Sequence, residues 1–135
     1  MLVGFEFVNG SWKGAPMVKS LRPLYLSPTG MISGGTRGKG DKAYKTVKAR
    51  EGYAVSGLIV NPGSERLGGF QVIYAKIQTR PNGFGAEKPE TYKSEWIGGE
   101  LKKGAVTLGG DGRLGIGIFG TSGADVESIG LIVAP

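Results

Sequence analysis

The sequence predicts a single all-β domain, and three observations carry that reading. No window shows apolar residues recurring every 3.6 positions, so no helix is expected. The apolar segments are short, rich in Val, Ile, Phe and Tyr, and bounded by Gly, Pro, Asn or Asp, which is how strands read. Glycine supplies 26 of 135 residues, far above the ordinary ~7%. It is spread between the apolar runs, which is the chemistry of turns and bulges. A chain of this length can build one real core, so one domain over 1–135 is expected.

Taken in order, the strand candidates are "LVGFEFV" (2–8), "SLRPLYLS" (20–27), "KAYKTVKA" (42–49), "YAVSGLIVN" (53–61), "GFQVIYAKIQT" (69–79), "YKSEWIG" (92–98), "RLGIGIFG" (113–120) and "SIGLIVA" (128–134). Asn82-Gly83 and Asp111-Gly112 predict hairpin turns. Short strands at regular spacing fit a barrel, a sandwich or a prism. Three segments align without gaps: "PLYLSP" (23–28), "GLIVNP" (57–62) and "GLIVAP" (130–135). A proline just past a strand fits its inability to donate to a ladder. Each copy follows a loop that begins near a glycine, Gly14, Gly52 or Gly123. Three like strands imply three like sheets about a pseudo-threefold axis. A β protein that reuses Leu, Ile, Val and Pro would produce similar matches without any repeat.

Composition narrows the chemistry. Cys and His are both absent, which removes thiol and Ser-His nucleophiles and the common zinc sites. Glu95, Glu100, Asp125 and Glu127 show no spacing that marks a glycosidase pair. The segment "GGDGR" (109–113) holds one acid, too few for a calcium cage. A non-catalytic protein without metal or cofactor is therefore expected. No apolar run reaches 18 residues, so no membrane span is expected. The start "MLVGFEF" lacks the basic and long apolar regions of a secretory leader. The compartment stays open.

From residue 52 onward the chain resembles the jacalin-related lectins. The segments that carry this are "GYAVSGLIV", "GGFQVIYAKIQT" followed by "GFG", and above all "RLGIGIFGTSGADVESIGLIVAP". The resemblance implies a β-prism of three four-stranded Greek-key antiparallel sheets with pseudo-threefold symmetry. It also implies that "LVGFEFV" pairs beside "RLGIGIFG" and "SIGLIVA" in one sheet. In that family a Gly-x-x-x-Asp loop holds a sugar, whose hydroxyls donate to the two oxygens of one carboxylate. Here the loop is Gly123-Ala124-Asp125-Val126-Glu127, and Glu127 stands where the family has aspartate. One added methylene moves a carboxylate by roughly 1.5 Å.

The implied site therefore comprises Asp125 and Glu127 as hydroxyl acceptors and the N–H groups near Gly123 and Ala124 as donors. The glycine-rich stretch "NGSWKGAP" (9–16) adds Gly10 and, as a stacking face, Trp12. The implied partners are mono- or oligosaccharides, with pairing into a homo-oligomer through exposed strands. The other reading of Asp125 and Glu127 is a solvated structural turn, in an interaction domain that kept the fold and lost the sugar.

Two further constellations stand out. Residues 37–50 hold Arg37, Lys39, Lys42, Lys45, Lys48 and Arg50 against Asp41, a local +5 in a chain of net +6. Such a strip can attract acidic glycans or phosphate backbones. Tyr44 alone interleaves it and no nucleic-acid motif appears, so nucleic acid is disfavoured. The alternative is a lysine-rich edge strand that blocks edge-to-edge pairing. In "YKSEWIGGE" (92–100), Trp96 is expected to pack into the core.

Overall fold

The computed structural model describes residues 1–40, 43–63, 65–78, 89–99 and 103–135. Its strands are β1 (Leu2–Trp12), β2 (Ala15–Ser27), β3 (Gly30–Ser33), β4 (Arg37–Gly38), β5 (Lys45–Lys48), β6 (Tyr53–Asn61), β7 (Gly69–Lys76), β8 (Thr91–Lys93), β9 (Ile97–Gly98), β10 (Val106–Gly109), β11 (Gly115–Phe119) and β12 (Gly130–Val133). Every pairing is antiparallel, and the described residues contain no helix. The first sheet runs β3-β2-β1-β5, with β4 also on β2. The second runs β10-β6-β7-β8, with β9 also on β7, and the third is β11-β12. Among the described residues the sheets hold five, five and two strands.

Each sheet is built on one hairpin. In the first, Lys13 and Gly14 form a two-residue turn with φ of 51° and 79°. That is the turn whose twist matches the flanking strands. The stretch 9–16, expected as a loop, is therefore strand almost to its tip. Along β1 and β6 the inward residues Leu2, Phe5 and Phe7, and Val55, Leu58 and Val60, face Leu21, Phe70, Val72 and Tyr74 across one core. Phe5 meets Phe70 edge to face at 5.4 Å, and full burial of each such side chain stabilises the fold by roughly 1.5–3 kcal/mol. Ile97 fills the core position that the sequence assigns to Trp96, which is only half-buried. A break between β8 and β9 shifts the alternation and moves Trp96 off the inward face.

The three hairpins share an irregularity. The ladder steps from Leu2 to Gly4 against Tyr25 and Leu24, from Val55 to Gly57 against Tyr74 and Ile73, and from Gly115 to Gly117 against Val133 and Ile132. A residue is bulged out before a glycine each time, which bends the strand and increases its twist. Gly4 and Gly57 then take their outer strands, β5 and β10, in the same register. A Cβ at Gly4 would collide with the Val47 carbonyl, and one at Gly57 would sit 2.9 Å from that of Leu108. Only glycine permits that approach.

Val18, Leu67 and Val126 each lie six residues before the partner of the bulge glycine. Their main chains are linked in series: Val18 N–H donates to Leu67 O and Leu67 N–H to Val126 O, both at 2.9 Å. All three are buried. Near the opposite ends of the hairpins, a Cβ at Gly115 would lie 3.3 Å from Leu2 Cδ2 and 3.2 Å from Val55 O.

Three sequence expectations are corrected. The aligned segments 23–28, 57–62 and 130–135 are not equivalent, because the first and third lie on second strands of hairpins and the middle one on a first strand. The stretches that share the register shift begin at 2, 55 and 115 instead. The N-terminal strand shares no sheet with the C-terminal strands, since β2 and β5 occupy both edges of β1. Asp111-Gly112 does not close a hairpin, because β10 pairs with β6 and β11 with β12, so the turn carries the chain between sheets. Asn82-Gly83 lies outside the described residues.

Candidate functional site

The turn of the first hairpin and the 120–127 loop meet through a residue the sequence reading did not single out. Arg66, in the connection after β6, stacks its guanidinium 4.0 Å from the Trp12 ring centroid. The same side chain donates from Nε to Asp125 Oδ2 at 3.1 Å. Lys19, on β2, donates from Nζ to Asp125 Oδ1, also at 3.1 Å. An aromatic ring, a guanidinium, a carboxylate and an ammonium therefore stand in series, joining all three hairpin units. One signal for Arg66 was available: it is a cation in an otherwise glycine-rich turn, "NPGSERLGG".

Asp125 is 8% exposed. Burial by itself would raise its carboxyl pKa, but the hydrogen bonds and charges of Arg66 and Lys19 outweigh that and hold it below the ordinary range. Both carboxylate oxygens are engaged, so Asp125 is a fastener rather than a free acceptor for hydroxyls. Its loop is pinned at other points. Val126 is buried in the core and its carbonyl accepts from Leu67. Ala124 O accepts from Lys39 N–H at 2.8 Å, and Gly123 N–H donates within the loop to Asp125 O. The Gly123 donor expected to face a ligand is thereby used internally. Glu127 is exposed.

Gly10 is a strand residue opposite Met17, with Met17 Sδ and Lys19 Cβ beside its Cα, so it contributes no loop N–H. Trp12 is half-buried beside a cleft of about 170 Å³, lined also by Pro16, Met17, Gly63, Arg66 and Gly68. The indole N–H is enclosed and has no acceptor among the described residues.

The basic residues do not form one strip. Arg37 lies on β4 and Lys39 just beyond it, along β2, whereas Lys45 and Lys48 lie on β5, at the opposite edge of the same sheet. With strands ~4.8 Å apart, three strand spacings, about 14 Å, separate the two groups. Lys42 lies outside the described residues. Lys39 and Lys19 do share an open hollow with Thr36, Gly38 and Gly40. Tyr44 packs on Arg22 at 3.8 Å and shares a 2.7 Å hydrogen bond with Ser20, so its ring is committed to the sheet face.

At the other end of the second hairpin, Tyr53, Tyr74 and Tyr92 cluster under Arg50, whose guanidinium lies 3.9 Å from the Tyr92 centroid. Burial raises the Tyr74 phenol well above its ordinary value, with Tyr92 adding to the effect. Among the described residues, no group of three His, Cys, Asp or Glu side chains could hold a metal ion. No described helix is long and apolar enough to cross a membrane. No protein-family model matches this chain, and no curated protein or solved structure matches it.

Proposed function

We propose that the chain is a three-unit β-prism with pseudo-threefold symmetry and serves as a non-catalytic, metal-independent carbohydrate-binding module. The symmetry reading is supported by the shared bulges at Gly4, Gly57 and Gly117 and by the Val18–Leu67–Val126 series of main-chain bonds. The single observation that carries the functional reading is a cleft of about 170 Å³ lined by Trp12 and by Arg66, whose side chain is held in place by Asp125 of the 120–127 loop. A cavity of ~150 Å³ takes a benzene-sized ring, so the cleft is of a size for one sugar ring.

In this reading the ligand sits one step away from where the lectin resemblance would put it. The apolar face of the ring lies along Trp12 and Pro16, and Arg66 and Lys13 donate to ring hydroxyls. Glu127, exposed on the same loop as Asp125, is proposed as a further acceptor. Asp125 orients Arg66 and does not touch the sugar. A shallow cleft of this kind binds weakly and gains strength by multivalent display.

A glycan array probed with the wild-type chain, Trp12→Ala and Glu127→Ala tests this. Hits that disappear with Trp12→Ala while the variant stays folded are the expected result. An array without hits at high protein density would end the reading. A second reading, an interaction domain without sugar binding, is favoured by the engagement of both Asp125 oxygens. Capture of one protein partner together with an empty array would decide for it.

A further inference from the structure

We infer that the third sheet receives one extended strand from another polypeptide, laid antiparallel along the outer edge of β11. In the first two sheets that place is filled from within the chain, by β5 along β1 and by β10 along β6. The two fillers share a pattern. Thr46 and Thr107 stand opposite Glu6 and Ile59, while Val47 and Leu108 stand opposite Phe5 and Leu58 and pack against the core. Both approach a glycine that admits their carbonyl. Gly117 holds the same place in β11, yet its nearest neighbours are side-chain atoms of Ile132 and Tyr25, at 3.5 Å and 3.7 Å from a built Cβ. Among the described residues no strand pairs with that edge.

The surface around the edge is apolar. Ile116, Phe119 and Ile132 are exposed on the third sheet, and so are Met31 and Ile32 on β3 and Val106 on β10. Strand β10 borders the third sheet, and β2, which carries β3 on its edge, reaches it through Tyr25. Tyr25, opposite Ile32, reaches Gly117, and a Cβ at Gly109 of β10 would touch Leu131 at 3.1 Å. Between the first and second sheets the corresponding junction is sealed. There Tyr92, the counterpart of Ile32, is half-buried and its hydroxyl accepts from Arg50 N–H, just beyond β5. Residues 114–124 carry no charge, so β11 lacks the lysines that guard β5 against pairing.

The occupant these features fit is an extended segment of pattern x-Thr-(Val or Leu)-x, with the aliphatic residue opposite Ile118 and the threonine opposite Phe119. Main-chain bonds would supply most of the affinity and the inward aliphatic side chain the selectivity. This site is independent of sugar binding, and its test does not involve the Trp12 cleft.

The probe is a synthetic peptide of residues 104–112, GAVTLGGDG, titrated into the full chain and followed by amide hydrogen exchange and NMR shifts. The expected result is at least tenfold slower exchange along Gly115–Phe119. A peptide carrying Leu108→Asp should bind at least tenfold more weakly. The protein variants Phe119→Lys and Ile116→Lys, both at exposed positions, should keep the wild-type melting temperature and lose the peptide. No protection at millimolar peptide on folded protein would overturn the inference. So would protection of β11 in the free protein accompanied by a doubled mass in light scattering, because the occupant would then be a second copy.

Discussion

Replacing Asp125 with asparagine keeps the side-chain shape and removes the charge that fastens three units together. The Asp125 side chain is 10% exposed, while Arg66 and Lys19 are 22% and 39% exposed. Removing one member of a buried ion pair costs ~3–5 kcal/mol. Here the two cations can regain water, most easily Lys19, and the asparagine amide oxygen still accepts one hydrogen bond. The expected loss at pH 7 is therefore smaller, about 1.5–3 kcal/mol. For a chain of this size that corresponds to roughly 5–10 °C in melting temperature. Urea melts and calorimetry at several pH values would read it.

The pH dependence gives an independent check on the same side chain. The folded-state pKa of Asp125 is depressed, so the unfolded state binds its proton first as pH falls. Its contribution is fully present above the unfolded value of ~3.9 and is lost as pH drops below it. Wild type should therefore lose more stability than Asp125→Asn below about pH 4, and the two curves should converge. A variant within 0.5 kcal/mol of wild type at pH 7, or an unchanged acid limb, would show that the three-unit fastener is not where stability resides.

Other consequences can be measured with the same melts. Tyr74→Phe removes a buried hydroxyl that has no partner among the described residues, so it should be neutral or slightly stabilising at pH 7. Because burial raises that phenol, the wild type should lose stability as pH rises above ~10, and the variant should lose less. Gly57→Ala places a Cβ 2.8 Å from Gly110 N and 2.9 Å from Leu108 O, which should cost ~1–3 kcal/mol. Gly14→Ala meets nothing within 4 Å but keeps a φ of 79°, so about 1 kcal/mol is expected. Phe70→Ala should cost ~3–5 kcal/mol and expose the ring face of Phe5.

What could be read in advance follows from what each residue's role depends on. Strand β6 was legible to the residue, Tyr53–Asn61, because its burial on both faces leaves an unbroken apolar run. Strand β10 was missed, since Val106-Thr107-Leu108-Gly109 is short and gains its identity only from pairing with β6. The bulge repeat was hidden because it depends on register, whereas the visible Leu, Ile and Val matches are a matter of composition. In the site, Trp12 and Asp125 could be named from motif and type. Lys19 could not, and Arg66 showed only as a cation in a glycine-rich turn, because their meaning lies in reaching one carboxylate from sites 106 and 59 residues away in the chain. The basic cluster looked continuous in sequence and became two groups once the chain crossed the sheet between β4 and β5.

The series of main-chain bonds from Val18 through Leu67 to Val126 bears on how this protein is made. A nascent chain leaving the ribosome has both of its large sheets in hand well before residue 126 emerges. Until then Leu67, fully buried in the finished molecule and bonded through its N–H to Val126 O, has no lid. Emergence of the segment around Val126 is thus the event that converts an open, sticky precursor into a sealed one. Stop codons placed before Val126 should yield chaperone-bound or insoluble product rather than a shorter working protein.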